Sequence, residues 1–486
     1  MLILPVVLPL LAGAVLPFAK IFRNRKACNL TVFITVMATF IFAAVNVCGE
    51  DKSLVIWYIL KDVPVYLKLD ALGKIFYMLT AAMWIFAAVF SFEYTKHEHK
   101  EPRYYSMFLM TLAVLMGISS AGNLVTMYMF YEGMSVTTLG LIIHSQTKEA
   151  IKAGHKHIFY SIGGALLGLL GIFYVYAYTG SVEFTAGGLF SGIAPENTGL
   201  LLVICLVMII GFGSKAGMFP LHGWLSAAHP VAPAPASAVL SGNITKMGVL
   251  AIIRVIYYIA GVDFIKGTWV QYTFMILALI TVFMGSMLAY KEKVLKKRLA
   301  YSTVSQVSYI LFGISLMNPV GFLGAMLHVV FHSIVKNTLF LSAGAVIYRT
   351  GKTKVSELAA IGKQMPVTMW CFTLVSITLV GIPPTSAFVS KWYLALGAMN
   401  TNIGWISYLG PIILLISALL TAGYLLSITI KGFYPGEDFD MEKAAKAEPN
   451  LYMLLPMLVL TAAAVFFGIY PKPLTDVINV VIDVLF

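Results

Sequence analysis

Apolar residues fill the chain in windows of about 20, the length that crosses a hydrocarbon core roughly 30 Å thick at 1.5 Å per residue. Marking these windows and the glycines, prolines and charges that interrupt them predicts 14 spans: 2–19, 29–48, 71–92, 104–119, 123–143, 157–178, 198–218, 237–260, 269–290, 299–316, 320–347, 367–396, 406–430 and 451–470. Residues 49–69 are too polar to cross, and the alternation in VIWYIL and VPVYLKL predicts a short external hairpin. Residues 431–450 read as a solvated loop with one helical turn at MEKAAKAE. The fold class is an all-α polytopic membrane protein.

Composition agrees: 59% of the 486 residues are hydrophobic and 11% charged, which excludes a soluble enzyme on a detachable anchor. The first 20 residues lack a basic start and a small-residue cleavage site, so they read as a retained first helix. The formal charge of +12 is topological. Alternate loops, beginning with Lys20, Arg23, Arg25 and Lys26, hold 22 of the 33 basic residues, and the opposite loops hold five. Positive charge marks the cytoplasmic side, which puts both termini outside the cell membrane.

An internal repeat is legible. FYSIGGALLGL at 159–169 matches FHSIVKNTLFL at 331–341, an offset of 172, and GFGSKAGMFP near Lys215 matches GIPPTSAFVSK near Lys391. Five spans separate the copies, an odd number, so they are inverted, and paired interrupted helices in inverted halves point to a transport pathway at mid-membrane. The predicted organisation is an N-terminal unit 1–103, repeats 104–260 and 261–431, each with a broken helix, and a final unit 432–486.

The remaining charges fall inside spans. Glu132, near the middle of span 5, is the only acid so placed, and a carboxylate there must be paired, hydrated or protonated. Lys215 lies among helix-interrupting glycines; beside Glu132 its charge would switch as that partner moves. Lys246 is too deep in span 8 to snorkel, whereas Arg254 reaches the outer interface or a carboxylate and reads as structural. His328, His332 and Lys336 fall at i, i+4 and i+8, a polar stripe on an apolar helix. Lys391 follows a Gly/Pro break placed as the one beside Lys215, and Lys74 reads as an interfacial anchor. A structural ion pair, a snorkelling lysine and a packed histidine are the bland alternatives for these positions. His222 and His229 sit in the link between spans 7 and 8, as a proton route or simply solvated.

Other chemistries find little support. Cys28, Cys48, Cys205 and Cys371 are far apart, and no phosphate-binding loop, nucleophile elbow or dinucleotide fingerprint is present. His328 and His332 suggest an intramembrane zinc hydrolase, but no carboxylate ligand accompanies them and Lys336 would repel a metal. No cofactor and no metal are expected.

Four blocks, GFGSKAGMFPLHGWLSAAHPVAPAPASAVLSGNITKMGVLAIIR, KKRLAYSTVSQVSYI, FHSIVKNTLFLSAGAV and GIPPTSAFVSKWYL, resemble the antiporter-like subunits shared by respiratory complex I, Mrp-type cation/proton antiporters and energy-converting membrane-bound hydrogenases. The resemblance implies 14 helices with inverted repeats at spans 4–8 and 9–13. It implies a proton-translocating subunit working beside other membrane subunits, with H+ and, in the Mrp case, Na+ as its ions. By motif it makes Glu132 the span-5 glutamate, Lys215 its lysine partner and Lys246 the connecting lysine. His328, His332 and Lys336 become the central relay and Lys391 the terminal residue. A lysine at 391 fits the D-type Mrp subunit or its hydrogenase counterpart better than the M-type complex I subunit, and the chain has no long lateral helix after span 14. No redox centre of its own is implied, only membership of a complex that can be redox-driven.

Overall fold

The computed structural model describes residues 1–49, 52–98, 100–401, 403–434 and 446–486. Helices fall where the apolar windows predict them: α1 (Leu4–Val15), α2 (Arg25–Cys48), α3 (Ala71–Tyr94), α4 (Glu101–Ser119), α5 (Leu124–Ile142), α6 (Lys148–Thr179) and α7 (Pro195–Ala216). Then follow α8 (Gly223–Val231), α9 (Ala234–Val239), α10 (Thr245–Ile253), α11 (Val262–Ile265), α12 (Trp269–Lys291) and α13 (Leu295–Ser315). The last seven are α14 (Pro319–Thr350), α15 (Ile361–Gln364), α16 (Pro366–Val380), α17 (Ser386–Met399), α18 (Ile406–Phe433), α19 (Leu451–Ile469) and α20 (Lys472–Leu485). The predicted hairpin is present as β1 (Ser53–Leu60) and β2 (Val63–Lys68), antiparallel with Ser53 opposite Lys68. Most of the 431–450 loop, including its expected helical turn, lies outside the described residues.

Among the described residues nine helices are long and apolar enough to cross a membrane by themselves. Others, such as α5 and α13, carry hydroxyl and amide side chains turned into the bundle, for example Thr126, Ser135 and Thr138 on α5 and Ser302, Ser305 and Gln306 on α13. Such groups are tolerated at membrane depth because they face protein rather than lipid. The central member is α14, which packs against α13, α16, α17 and α19 and is buried over almost its whole length.

Helix α8 lies in the segment expected to link spans 7 and 8, and two further elements differ from expectation. Helix α6 starts nine residues before the predicted 157, because Thr147 caps it, its hydroxyl accepting from the Ala150 N–H at 3.2 Å, and the amphipathic run from Lys148 extends the helix beyond the apolar window. The expected C-terminal tail is an amphipathic helix, α20, whose Ile478, Val481 and Leu485 are buried against α14 and α3, with Phe486 packed on Tyr257 and Phe322. Their i, i+3, i+7 spacing is a helical signal that the 14-span reading passed over.

Helix ends repeat at an offset of 171 rather than 172. Helices α6 and α14 are both 32 residues long, are capped by Thr147 and Asn318, and stop at Gly180 and Gly351 in the left-handed conformation that suits glycine. Helices α7 and α16 open on Pro195 and Pro366, again 171 apart. Each ends at a G-x-x-P break, Gly217 to Pro220 and Gly381 to Pro384, with φ of 77° and 90° at the glycines. These breaks are 164 apart because α16 has 15 residues against 22 in α7.

Candidate functional site

The charged side chains inside the bundle form two groups. The first lies where α5, α6, α7 and α8 meet. Glu132 is half-buried on α5 and accepts from Tyr128 Oη, one turn earlier, at 3.1 Å. Tyr131 Oη donates to the Phe212 carbonyl at 3.2 Å and ties α5 to α7. Lys215, in the last turn of α7, is fully buried; its Nζ donates to Ser161 Oγ at 2.8 Å and sits over the Trp224 ring, 5.6 Å from the centroid. The lysine is held by α6 and α8 instead of directly by Glu132, which remains within electrostatic reach. The expected direct pair is open in this conformation.

Ser161 leads to a residue the sequence reading missed. His157, fully buried on α6, bonds Thr138 Oγ1 through Nε2 at 2.9 Å and Ser161 Oγ through Nδ1 at 3.4 Å, and packs on Trp224 with ring centroids 4.6 Å apart. In sequence it looks like a member of the basic stretch HKH. The signal was the repeat offset: at 171 residues His157 falls on His328.

The second group surrounds α14. Lys246 is the second residue of α10, just after a π turn at Leu240–Ile244 whose Ser241 carbonyl also accepts from Thr245 Oγ1 at 2.9 Å. Its Nζ lies 2.6 Å from that carbonyl and 2.5 Å from His332 Nδ1. His328, one turn earlier on α14, bonds Ser390 Oγ at 2.9 Å and Gln306 Oε1 at 3.2 Å, and its ring is 5.9 Å from that of His332. Lys336 donates to the Leu299 carbonyl at 3.1 Å and to Ser302 Oγ. Lys391, on α17, donates to the Leu379 and Val380 carbonyls at 2.7 and 2.9 Å, the oxygens released where α16 stops. Its ammonium lies over Tyr309, which stacks on His328 with centroids 5.6 Å apart.

The two groups meet where α10 crosses α7. A methyl added at Gly248 would come within 3.1 Å of Lys215 Cβ. Lys215 precedes its helix break by two residues and Lys391 follows its own by ten, so their expected equivalence is only approximate: both use a break, from opposite ends. Around Lys246 and Lys336, Asn243 Nδ2, Ser333 Oγ, Asn337 Oδ1 and His332 Nε2 are buried without a protein partner among the described residues.

Arg254 reaches a carboxylate, one of the two placements expected of it. Its guanidinium forms a bidentate bond to Asp70, 2.5 and 2.7 Å, between the rings of Phe184 and Tyr258 at 4.5 Å each. Burial opposes the charge on Asp70, yet Arg254 and the Gly73 amide hold its carboxyl below the usual carboxylate range. His222 is half-buried in the turn that leads into α8 and makes no side-chain capping bond, whereas His229 is fully buried within α8. The zinc reading fits poorly, because the Lys246 ammonium occupies His332 Nδ1 and both nitrogens of His328 are engaged by Ser390 and Gln306.

Residues 121–421, which contain the whole chain of charges from Glu132 to Lys391, match the family described as NADH:quinone oxidoreductase/Mrp antiporter, transmembrane. The protein belongs to this family. It is an antiporter-like membrane subunit. The NADH-quinone oxidoreductase subunit N of Desulforudis audaxviator is 31% identical over 420 residues, covering 83% of this chain and 82% of that protein. The D-type Na(+)/H(+) antiporter subunit of Bacillus subtilis is 30% identical over 485 residues, covering 96% and 93%. One percentage point separates them, so identity does not rank the D-type expectation above a respiratory one. The fold matches a chain of the membrane-bound sulfane sulfur reductase, an archaeal respiratory membrane complex, with a TM-score of 0.86 at 23% identity over 98% of this chain and 96% of that one.

Proposed function

We propose that this antiporter-like subunit translocates protons across the cell membrane within a multi-subunit membrane complex, along Glu132, Lys215, Lys246, His328, His332, Lys336 and Lys391. The observation that carries the reading is the succession of contacts from Lys246 through His332, His328 and Tyr309 to Lys391 in the interior of the bundle. Buried charges of this kind are costly and persist where they serve an ion route.

The groups have the chemistry for it. Lysine ammonium only donates, so while Lys246 is charged His332 Nδ1 must accept, and a proton passed to the ring leaves a neutral amine behind. Lys215, bonded to Ser161 in this structure, would move to a second position nearer Glu132. Moving between them changes the stability of its charge and sends a proton onward, the carboxylate being the group that favours the charged lysine. The unpartnered polar atoms around Lys246 and Lys336 are suited to ordered water, which bridges the steps side chains do not span.

The two repeats, 104–260 and 261–431, are read as inverted halves, with 1–103 and 432–486 outside them and both termini outside the cell. The partners are other membrane subunits. In an Mrp-type antiporter the driving exchange is Na+ for H+; in a hydrogenase or complex I assembly it is electron transfer by other subunits, and copurifying iron-sulfur proteins distinguish the two. Glu132→Gln or Lys215→Ala in the assembled complex is expected to abolish proton transport. Wild-type transport by either variant overturns the reading.

A further inference from the structure

Lys296 lies in the run KKR and looks in sequence like one more base of a cytoplasmic loop. In the structure it is in the first turn of α13 and only 6% exposed. Its Nζ donates to the Pro230 carbonyl at 3.3 Å and to the Ala232 carbonyl, which closes the C-terminal end of α8. An ammonium has three donors and two are used here. Above it is a cavity of about 160 Å³ lined by Tyr94, Glu98, Ala232, Lys296, Ile347 and Thr353 among others. Thr353 is exposed, so the cavity opens at the face of the basic loops, and Glu98 lies within electrostatic reach of the lysine.

Below the lysine is His229. It is fully buried, both of its ring nitrogens lack a protein partner among the described residues, and its ring stacks on Phe340 at 4.6 Å, one turn beyond Lys336 on α14. His229 is within electrostatic reach of both Lys296 and Lys336. A cavity that carries Glu98, Lys296 and Thr353 in a largely apolar lining, a buried cation at its floor and an unpartnered imidazole behind it thus lead from the surface to the central stripe.

We propose that this cavity is the inlet through which protons reach the α14 stripe from the basic-loop face, with Lys296 as the acceptor at its floor and His229 as the link to Lys336. The inference rests on the proton-translocation reading above and deepens it. The Lys296 ammonium passes a proton to a His229 ring nitrogen, which releases it to the Lys336 amine, and the Lys296 amine is reprotonated from cavity water. Only N–H and O–H bonds are exchanged, and the net movement is one positive charge inward.

The rival explanation is that Lys296 merely caps α8, and arginine separates the two. A guanidinium caps carbonyls equally well but does not give up its proton. Lys296→Arg in the complete complex, reconstituted in sealed vesicles, is expected to assemble yet translocate protons more slowly by on the order of a hundredfold, the low end of what a positioned proton-transfer group contributes. Wild-type rates in Lys296→Arg overturn the proposal. Should that variant fail to assemble, Thr353→Cys provides the second measurement. A bulky, membrane-impermeant thiol reagent added on the basic-loop face is expected to block translocation by this variant, and labelling without slowing overturns the inlet. If the complex translocates and depends on Lys246 but not on Lys296, only the inlet fails; if it does not translocate, the underlying reading fails.

Discussion

Lys246 Nζ lies 2.5 Å from His332 Nδ1, and the two residues, on α10 and α14, are 86 apart in sequence. Both groups take up protons, but in this contact they share one: an ammonium facing an imidazolium would put two N–H donors against each other. On the proposed route the pair would pass charge across the interface between α10 and α14 without moving the helices. His328, one turn from His332, continues the line to Tyr309 and Lys391.

His157 holds the corresponding place in the first half, joined to Lys215 through Ser161. His157→Phe retains an aromatic face for Trp224 and removes both ring nitrogens. Assembly is expected to survive while proton translocation in reconstituted vesicles falls by on the order of a hundredfold. An unchanged rate would make His157 a packing residue.

The Asp70–Arg254 pair is expected to act on stability. Breaking a fully buried ion pair from one side costs about 3–5 kcal/mol; Asp70 is part-buried, so Asp70→Asn should cost less than that, lowering the unfolding temperature of the complex while the rate per assembled complex changes little. The pH dependence has a definite sign. Because the folded carboxyl is held below its ordinary value, its stabilisation is present above about pH 4, near the unfolded value, and is lost as pH falls through the folded one. Thermal unfolding of wild type and Asp70→Asn should therefore converge as the pH is lowered. Parallel curves at all pH values contradict this.

Helices α6 and α7 touch through glycine. A methyl on Gly164 would be 2.5 Å from the Gly211 carbonyl oxygen, and one on Gly211 would be 2.5 Å from that of Gly164. Backbone atoms do not yield as side-chain tips do, so Gly211→Leu must separate the helices that hold Ser161 and Lys215 together. A destabilisation of about 1–3 kcal/mol is expected, typical of overpacking, together with loss of transport. Thermal unfolding and vesicle assays measure the two effects separately.

Much of this was legible in the sequence, for a physical reason. A bilayer imposes a length and an apolar composition on each crossing, so the helices followed from the windows, and a charge that breaks such a window stands out, as Glu132, Lys246 and Lys336 do. What escaped notice depended on packing between distant segments. Lys296 reads as a loop base until the end of α8 is seen to rest on it, and His157 stands at the very start of a predicted span until the Thr147 cap extends α6 and brings it inside the helix. Asp70 lies 184 residues from Arg254, and no periodicity links them. The true repeat offset came from helix ends, since the match at 159–169 was one residue out of register.

Lys246 stands between the two groups of charges, and its replacement tests the whole chain most directly. Lys246→Met keeps the length and bulk of the stem and removes the ammonium. The complete complex carrying it should assemble and bind its partners, yet proton translocation into sealed vesicles should fall to background. Translocation at the wild-type rate would show that protons take another route and would contradict the role given to the buried chain from Glu132 to Lys391.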